Sequence, residues 1–273
     1  MIYYDGKDYR KIIESCITSV RGHLERTNCI ISIDEIDKII SEDRVRVIGT
    51  EPLIFVVDHC HFYQLYYCIN EGWKGIIDDG VLKALDEYGE LYLDVTVGNR
   101  MNISTSIIGD LGFKEFRTYL KMDCRGSQKS VENEESVSYA EMKDMREIAE
   151  MLENSFNPMC DHLPDEKELI DYIEKRKVYA MYEGCDIAGV LLYDNTGARS
   201  YLRCLCVSEK YRAKGYGHVL VSKYHFDHKD AVKLFYLWVD SKNEPAKKLY
   251  ERFGYKYAGV KNHIYIRNHT VAR

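Results

Sequence analysis

The residues best suited to chemistry fall in one stretch, Leu205-Cys206-Val207-Ser208-Glu209-Lys210-Tyr211-Arg212-Ala213-Lys214-Gly215-Tyr216-Gly217-His218. An apolar strand feeds a turn of the form R-x-x-G-x-G, and a helix follows from about Gly217. Glycines admit positive φ and close backbone approach, so successive amides can converge on an anion. The helix N-terminus adds the positive end of its dipole, and Arg212 and Lys214 supply countercharge. This is phosphate-binding chemistry, although six residues of this form also suit a plain strand-to-helix turn.

The order downstream narrows the choice. A second strand, Leu237-Trp238-Val239, leads to Asn243-Glu244-Pro245-Ala246, then Leu249-Tyr250, then Gly254-Tyr255. Strand, R-x-x-G-x-G, helix, strand, N-x-x-A, L-Y and G-[FY], in that order, resembles the GNAT superfamily of acyl-CoA N-acyltransferases over about 137–267. The resemblance implies an α/β (α+β) fold: a mixed, mostly antiparallel sheet flanked by helices, with two central strands splayed to admit the pantetheine arm of acetyl-CoA. It implies that Leu205, Cys206 and Val207 offer backbone hydrogen bonds to that arm. Arg212, Ala213, Lys214, Gly215, Tyr216 and Gly217 would wrap the pyrophosphate, Asn243 would contact the cofactor near the splay, and Tyr250 would sit near the thioester sulfur.

The implied reaction is direct transfer of acetyl to a primary amine in a ternary complex. The developing oxyanion needs an aimed donor, and an amide near Leu205 or Cys206 left unpaired by the splay can supply one. The leaving thiolate has an ordinary pKa of about 8.5, so an acid helps without being essential, and Tyr250 is the candidate. Many relatives carry a Glu on the strand before the phosphate turn. Here that strand reads Tyr201-Leu202-Arg203-Cys204-Leu205-Cys206-Val207, with no carboxylate, so no base is assigned.

Each residue also has a plainer role. Asn243 can cap the helix beginning at Glu244, with Pro245 in its first turn. Glu244 and Lys248 have the spacing of a solvated helix pair. Cys204 and Cys206 share one strand face and suit packing; neither has a helix dipole or a His partner to make it a nucleophile. His59-Cys60-His61 and His225-x-x-His228-x-Asp230 offer no complete ligand set, so no metal is expected; the second reads as a polar cluster at a helix end. His218 can neighbour phosphate or cap a helix. Asp161 and Asp165, between two expected helices, can recognise a cation or act as solvated caps. Two further functions remain open: a non-catalytic acyl-CoA-binding sensor, and a transferase with a longer acyl donor or a peptide-like acceptor.

The elements that must position these residues fall into two halves. In the first, helical periodicity covers 8–25, 34–40 and 76–88. Runs 53–57 and 62–69 form a hairpin, and 91–97 is a strand. In the second, a strand at 137–139 precedes helices at 142–156 and 166–177, and 178–182 pairs with 187–193. Strands follow at 201–207 and 234–239, a helix at 244–253, and a closing hairpin of 255–260 with 263–267. The polar stretch 123–136 reads as a linker between a domain at 1–122 and one at 137–273.

The halves rhyme. Leu93-Asp94-Val95-Thr96-Val97-Gly98-Asn99 parallels Leu237 to Asn243, and Ile107-Ile108-Gly109-Asp110-Leu111-Gly112-Phe113-Lys114 parallels Leu249 to Lys256. Two copies of one fold are expected, the first degenerate. Ile108 stands where Tyr250 stands, and the first half's nearest phosphate-like run, Glu71-Gly72-Trp73-Lys74-Gly75, lacks the spacing. The first copy would then complete the acceptor cleft or pack structurally.

Composition bounds the rest. The 273 residues are 45% hydrophobic and 30% charged, with 4 Pro, an ordinary globular balance. Net charge is −6, and residues 1–130 hold most of the acidity, with 16 basic and 21 acidic side chains. That argues against nucleic-acid binding and favours a small-molecule amine acceptor, cationic if anything. No apolar run is long enough to span a bilayer. Nine scattered cysteines without a C-x-x-C pair, and no signal-like start, suit reduced thiols in the cytoplasm.

Overall fold

The computed structural model describes residues 6–19, 26–29, 31, 33–50, 52–59, 62–69, 77–99, 105–126 and 136–268. The chain divides into two compact units, Met1–Thr118 with Val260–Arg273, and Tyr119–Gly259. The first half supplies α1 (Gly6–Ser19), α2 (Ile33–Ser41), β1 (Val45–Thr50), β2 (Leu53–Asp58), β3 (Tyr63–Cys68), α3 (Asp79–Asp86), β4 (Glu90–Gly98), α4 (Thr105–Asp110) and β5 (Lys114–Arg125). After β6 (Val137–Tyr139) and a 3-10 turn at Met142–Asp144, the order repeats. It runs α5 (Met145–Ser155), α6 (Glu166–Glu174), β7 (Val178–Glu183), β8 (Asp186–Thr196), β9 (Arg199–Val207), α7 (Tyr216–His228), β10 (Leu234–Asp240), α8 (Glu244–Arg252) and β11 (Lys256–Asn268).

The sheet of the first unit has the order β1-β2-β3-β4-β11, and that of the second β5-β10-β9-β8-β7-β6. Neighbours are antiparallel except β3 with β4 and β9 with β10. Both faces of each sheet are covered, which is why strands such as Leu53–Asp58 and Asp186–Thr196 read as nearly continuous apolar runs. In the second unit one core joins the sheet to Leu220, Val221 and Tyr224 of α7 and Tyr250 of α8, and the other joins it to Ile148 and Leu152 of α5 and Leu169 and Ile173 of α6. In the first unit Ile13, Ile36 and Ile39 cover one face and Leu85, Ile107 and Ile108 the other.

Several expectations change. The compact units meet the chain at 118/119 and 259/260 rather than around a linker at 123–136. Asp123, Cys124 and Arg125 are strand residues, paired with Tyr236, Phe235 and Leu234, while 127–135 lie outside the described residues. Polarity misled there because Asp123 and Arg125 share one pleat face while Met122 and Cys124 point into the core. The closing hairpin is instead one long strand, β11. Asn262, which read as a turn residue, is cross-linked to β4 through Thr96 Oγ1 (3.1 Å) and Asp94 Oδ2 (3.3 Å). Strand β1, Val45–Thr50, was not foreseen. Among the described residues, no helix is long and apolar enough to cross a membrane.

Candidate functional site

The site begins where two strands part. β9 pairs with β10 only from Arg199 to Leu202, opposite Leu234 to Leu237, and no pairing continues beyond. On its other edge β9 stays paired with β8 as far as Val207. Ser208 donates its amide to the Ala188 carbonyl, so by antiparallel alternation the backbone groups of Leu205 and Val207 face the gap. The register slips between Leu192/Tyr193, leaving Arg203 as the extra residue of a bulge opposite them. The bulge also changes which side chains go where. Cys204 and Cys206 join the core under α5 and α6, while Leu205 and Val207 pack toward α7 and α8.

The turn after β9 is built for an anion. Ala213 (φ 63°) and Gly215 (φ 85°) both adopt the left-handed region, and Gly215 is the N-cap of α7. Alternating handedness of this kind turns successive amides to one side. α7 has no acidic residue in its first turn, and its first amides have no intrahelical acceptor. The neighbouring hairpin braces the turn: Tyr216 donates to Glu183 (2.5 Å), Tyr211 to Asp186 (2.8 Å), and Lys210 pairs with the same Asp186. Arg212 is bound to Glu209 (3.0 Å) and donates from Nε to the Val207 carbonyl (3.4 Å). Lys214 has no ion pair among the described residues; its ammonium lies 5.0 Å from the Tyr211 ring centroid and 5.8 Å from that of Tyr216. Gly217 sits close to α8, since a Cβ there would meet Leu249 Cδ2 at 3.4 Å. An open strand edge leading to an amide nest and a spare lysine fits an acyl-CoA: amide-bearing arm at one end, pyrophosphate at the other.

Tyr250 is buried against this strand, in one core with Leu202 and Leu237. Burial, with Cys204 and Cys206 adding to it, pushes its hydroxyl well above the usual tyrosine range, so it is held protonated. Among the described residues the hydroxyl has no hydrogen-bond partner. Cys204 and Cys206 are pushed up to about 12 by burial, which keeps both thiols neutral and unsuited to nucleophilic attack. Asn243 caps α8, its side chain accepting from the Ala246 amide at 3.1 Å. Glu244 pairs with Lys247 (2.6 Å), not with the expected Lys248.

The loop carboxylates have structural duties. Asp165 is the N-cap of α6 (2.7 Å to the Glu168 amide), and Asp161 accepts from the Tyr119 hydroxyl (2.7 Å) and the Asn157 amide (2.9 Å). Arg203, the bulge residue, is an unforeseen part of the same neighbourhood. Its guanidinium donates to the Tyr172 hydroxyl (2.8 Å) and the His162 carbonyl (2.6 Å). His218 packs on Phe253, with ring centroids 4.7 Å apart. His225 and His228 are core residues rather than a polar helix-end cluster. His225 Nε2 meets Tyr255 Oη at 3.0 Å, and His228 Nδ1 donates to the Tyr224 carbonyl at 2.8 Å. Cys60, His61 and 71–75 lie outside the described residues. Among the described residues no group of three or more His, Cys, Asp or Glu could hold a metal ion.

The matching place in the first unit is filled. β3 shares only Tyr63 and Gln64 with the parallel β4 before the two part. Along the edge this leaves, Thr27 bridges to Cys68, the Ile69 amide donates to the Arg26 carbonyl (2.8 Å), and Thr27 Oγ1 donates to the Tyr67 carbonyl (2.6 Å). Asn28 accepts from the Tyr67 amide (2.8 Å) and donates to the Leu65 carbonyl (2.9 Å). The helix after this edge, α3, carries its own anion: Asp78 caps it, accepting from the Gly80 amide at 2.7 Å.

Comparison with known proteins gives a consistent picture. Residues 143–255 match the model of the acetyltransferase (GNAT) family. A GCN5-related N-acetyltransferase from Sphaerobacter thermophilus is similar with a TM-score of 0.62 at 12% identity, over 97% of this chain and 94% of that one. A tandem GNAT protein from the clavulanic acid biosynthesis pathway is similar with a TM-score of 0.56 at 9% identity, over 100% of this chain and 99% of the other. A fungal GH3 β-N-acetylglucosaminidase with a GCN5-related glucosamine N-acetyltransferase region gives 0.63 at 13%, over 97% of this chain and 37% of that one. No curated protein matches the chain. At these identities the similarity speaks to fold, and it extends over both units.

Proposed function

The chain belongs to the GNAT superfamily, and from that premise we propose that its second unit is an N-acetyltransferase that moves acetyl from acetyl-CoA to a primary amine by direct attack. The observation that carries this reading is the parting of β9 from β10 at Leu202, aligned with the amide nest at Ala213–Gly215. In this reading Leu205 and Val207 present the open edge to the pantetheine arm, while Cys206, expected to join them, turns its backbone groups to β8. The groups from Arg212 to Gly217 hold the pyrophosphate, with Lys214 the cation still free to meet it.

The amine must arrive neutral, because only its lone pair can form the new C–N bond. β9 offers no carboxylate to deprotonate it. The thioester oxygen gains charge as the bond forms, and the Leu205 amide, left without a β10 partner, is placed to receive it. Tyr250 keeps its proton at neutral pH and is the donor to the departing thiolate as the C–S bond breaks, and the proton shed by the attacking nitrogen restores it, directly or through solvent. Asn243 contributes through its cap, which fixes the start of α8 and with it Tyr250. The first unit is a structural copy, its equivalent edge occupied by Arg26–Cys29.

Thermal-shift titration with CoA and acetyl-CoA, followed by a thiol-release screen over an amine panel, tests the reading. Saturation at a hundred times Kd adds about 2.7 kcal/mol of stability, readily visible as a shift. Absence of a shift with either ligand would sink the proposal.

A further inference from the structure

We infer that the face of the second unit formed by Lys121, Arg199, Tyr201, Tyr236 and Trp238 is the acceptor platform, and that it takes an amine which also carries a carboxylate. The inference rests on the acyltransferase reading and names the acceptor class for that same site.

The register assembles the platform. Tyr201 lies beside Tyr236 across the β9–β10 ladder, and Lys121 lies opposite Trp238 across β10–β5. Residues opposed in a ladder share a face, as do Tyr236 and Trp238 two apart on one strand. The other face of β10, Phe235, Leu237 and Val239, is buried against α7 and α8. The platform is only half-buried, and Trp238 is the first β10 residue past the last pair with β9, so it starts where the strands part. Tyr201 and Tyr236 stack at 5.0 Å and 10°. The Lys121 ammonium is 4.9 Å from the Tyr236 centroid and 5.8 Å from that of Trp238, and the Arg199 guanidinium is 5.3 Å from the Tyr236 centroid.

Two cations thus crowd one ring, and among the described residues neither has an ion pair. They sense each other: burial first, then Arg199, lowers the proton affinity of Lys121, against an opposing pull from Asp123. Nearby carboxylates are otherwise committed, Asp194 to Lys177 and Tyr172, Asp161 to Tyr119, and Asp240 to the Lys242 amide. Arg125 lies further along the same face, opposite Leu234, and the charges that Lys121 feels are those of Arg199 and Asp123, so beside the stacked rings one positive charge is spare. That suits a monoanionic carboxylate better than a dianionic phosphate. Flat aromatic walls beneath the charges suit an acceptor with apolar or planar substance between its amine and its carboxylate.

The test uses the full chain, saturated with acetyl-CoA, and three matched sets of amines: amino acids, their carboxamides, and amines bearing a phosphate in place of the carboxylate. KM and kcat are read by thiol release. The carboxylate set is expected to show KM at least about tenfold below the carboxamides, the scale of one charged hydrogen bond. In Lys121→Met, which keeps the apolar stem, that ratio should fall toward one with kcat little moved, and Arg199→Gln should move it in the same direction. Lys121→Arg should restore it. A ratio near one in the unaltered protein, a preference for the phosphate set, or turnover confined to amines without an anion overturns the inference and leaves the acyltransferase reading standing. If no amine is turned over, the same carboxylates are titrated against the CoA-bound protein by thermal shift. No response beyond that of the carboxamides overturns it there too. A protein that CoA itself does not stabilise fails at the earlier step, the reading itself.

Discussion

β3 and β9 hold the same place in the repeated element order, and each leaves its parallel neighbour after a short ladder, two pairs in the first unit and four in the second. Beyond the ladders the two strands diverge. The freed edge of β3 is satisfied by Thr27, Asn28 and Arg26 from the same chain, and the helix beyond it by Asp78. The freed edge of β9 keeps Leu205 and Val207 facing the gap, and the helix beyond it begins at Gly215 with no acidic residue in its first turn. A splayed sheet leaves backbone groups that must find partners. Whether it becomes a binding site depends on whether the chain supplies those partners itself.

The largest effect should come from cutting the chain by half rather than by unit. A fragment of residues 137–273 lacks the β5 partner of β10 and leaves residues 260–268 without β4. It is expected to show no cooperative thermal transition by circular dichroism, whereas 119–259 retains one. A cooperative, CoA-binding 137–273 fragment would contradict this division.

Next in size, Tyr250→Phe removes a proton donor and little volume. Turnover at neutral pH should drop about 10²-fold, with the CoA-induced thermal shift retained. Equal turnover would move Tyr250 from the chemistry to the core, where Ile108 already sits in the first unit.

Much of this contrast was readable in the residues. R-x-x-G-x-G, Asn243, Tyr250 and the Ile108 replacement are local patterns, and local patterns survive folding. The hairpin of β2 and β3 and the helices α5, α6 and α8 were legible from periodicity for the same reason. The plug, the platform and the unit boundary were not. Asn28 and Leu65 meet across 37 residues, and Lys121 meets Trp238 through a strand register, and no spacing encodes either. The bulge at Arg203 puts Leu202 on the same face as Leu205 and Val207, which alternation alone cannot anticipate.

The units should also differ in acid. His225 in α7 is fully buried, and burial, reinforced by His228, lowers its pKa to about 4 from an ordinary 6.5. A base held neutral on folding contributes stability that is complete above about pH 6.5 and is lost as pH falls toward 4. For this group alone the loss is about 3 kcal/mol. Urea midpoints at pH 7 and pH 4.5 measure it. His225→Phe, which can stack between Phe235 and Phe253 as the imidazole does, should flatten that part of the slope; an unchanged slope would place the acid sensitivity elsewhere.

Asn28→Ala breaks the plug at its centre, stranding the Tyr67 amide and the Leu65 carbonyl. Two buried groups left unpaired should cost about 2 kcal/mol in chemical denaturation. Calorimetric stoichiometry should nevertheless stay at one CoA per chain, because Asp78 still occupies the helix start. A second equivalent would mean that the plug alone keeps the first unit closed.

The smallest change is the reciprocal one, giving the second unit the first unit's anion. Gly215→Asp places a carboxylate at the N-cap of α7, as Asp78 does for α3. Asp tolerates the left-handed conformation better than most side chains, and no atom lies within 4 Å of where its Cβ would stand. The fold should therefore persist, with the carboxylate beside the helix start rather than bonded into it, because Gly215 (φ 85°) lacks the extended backbone from which Asp78 (φ −67°) caps α3. The pyrophosphate would meet a negative charge next to the amides it needs. CoA affinity should weaken about tenfold, or 1.4 kcal/mol, and the loss should shrink as salt is raised. Gly215→Asn keeps the shape without the charge, so its affinity should lie close to that of the unaltered protein. If Asn and Asp weaken binding equally, the bare backbone at Gly215 is what CoA requires, and the difference between the two helix starts is one of space rather than charge.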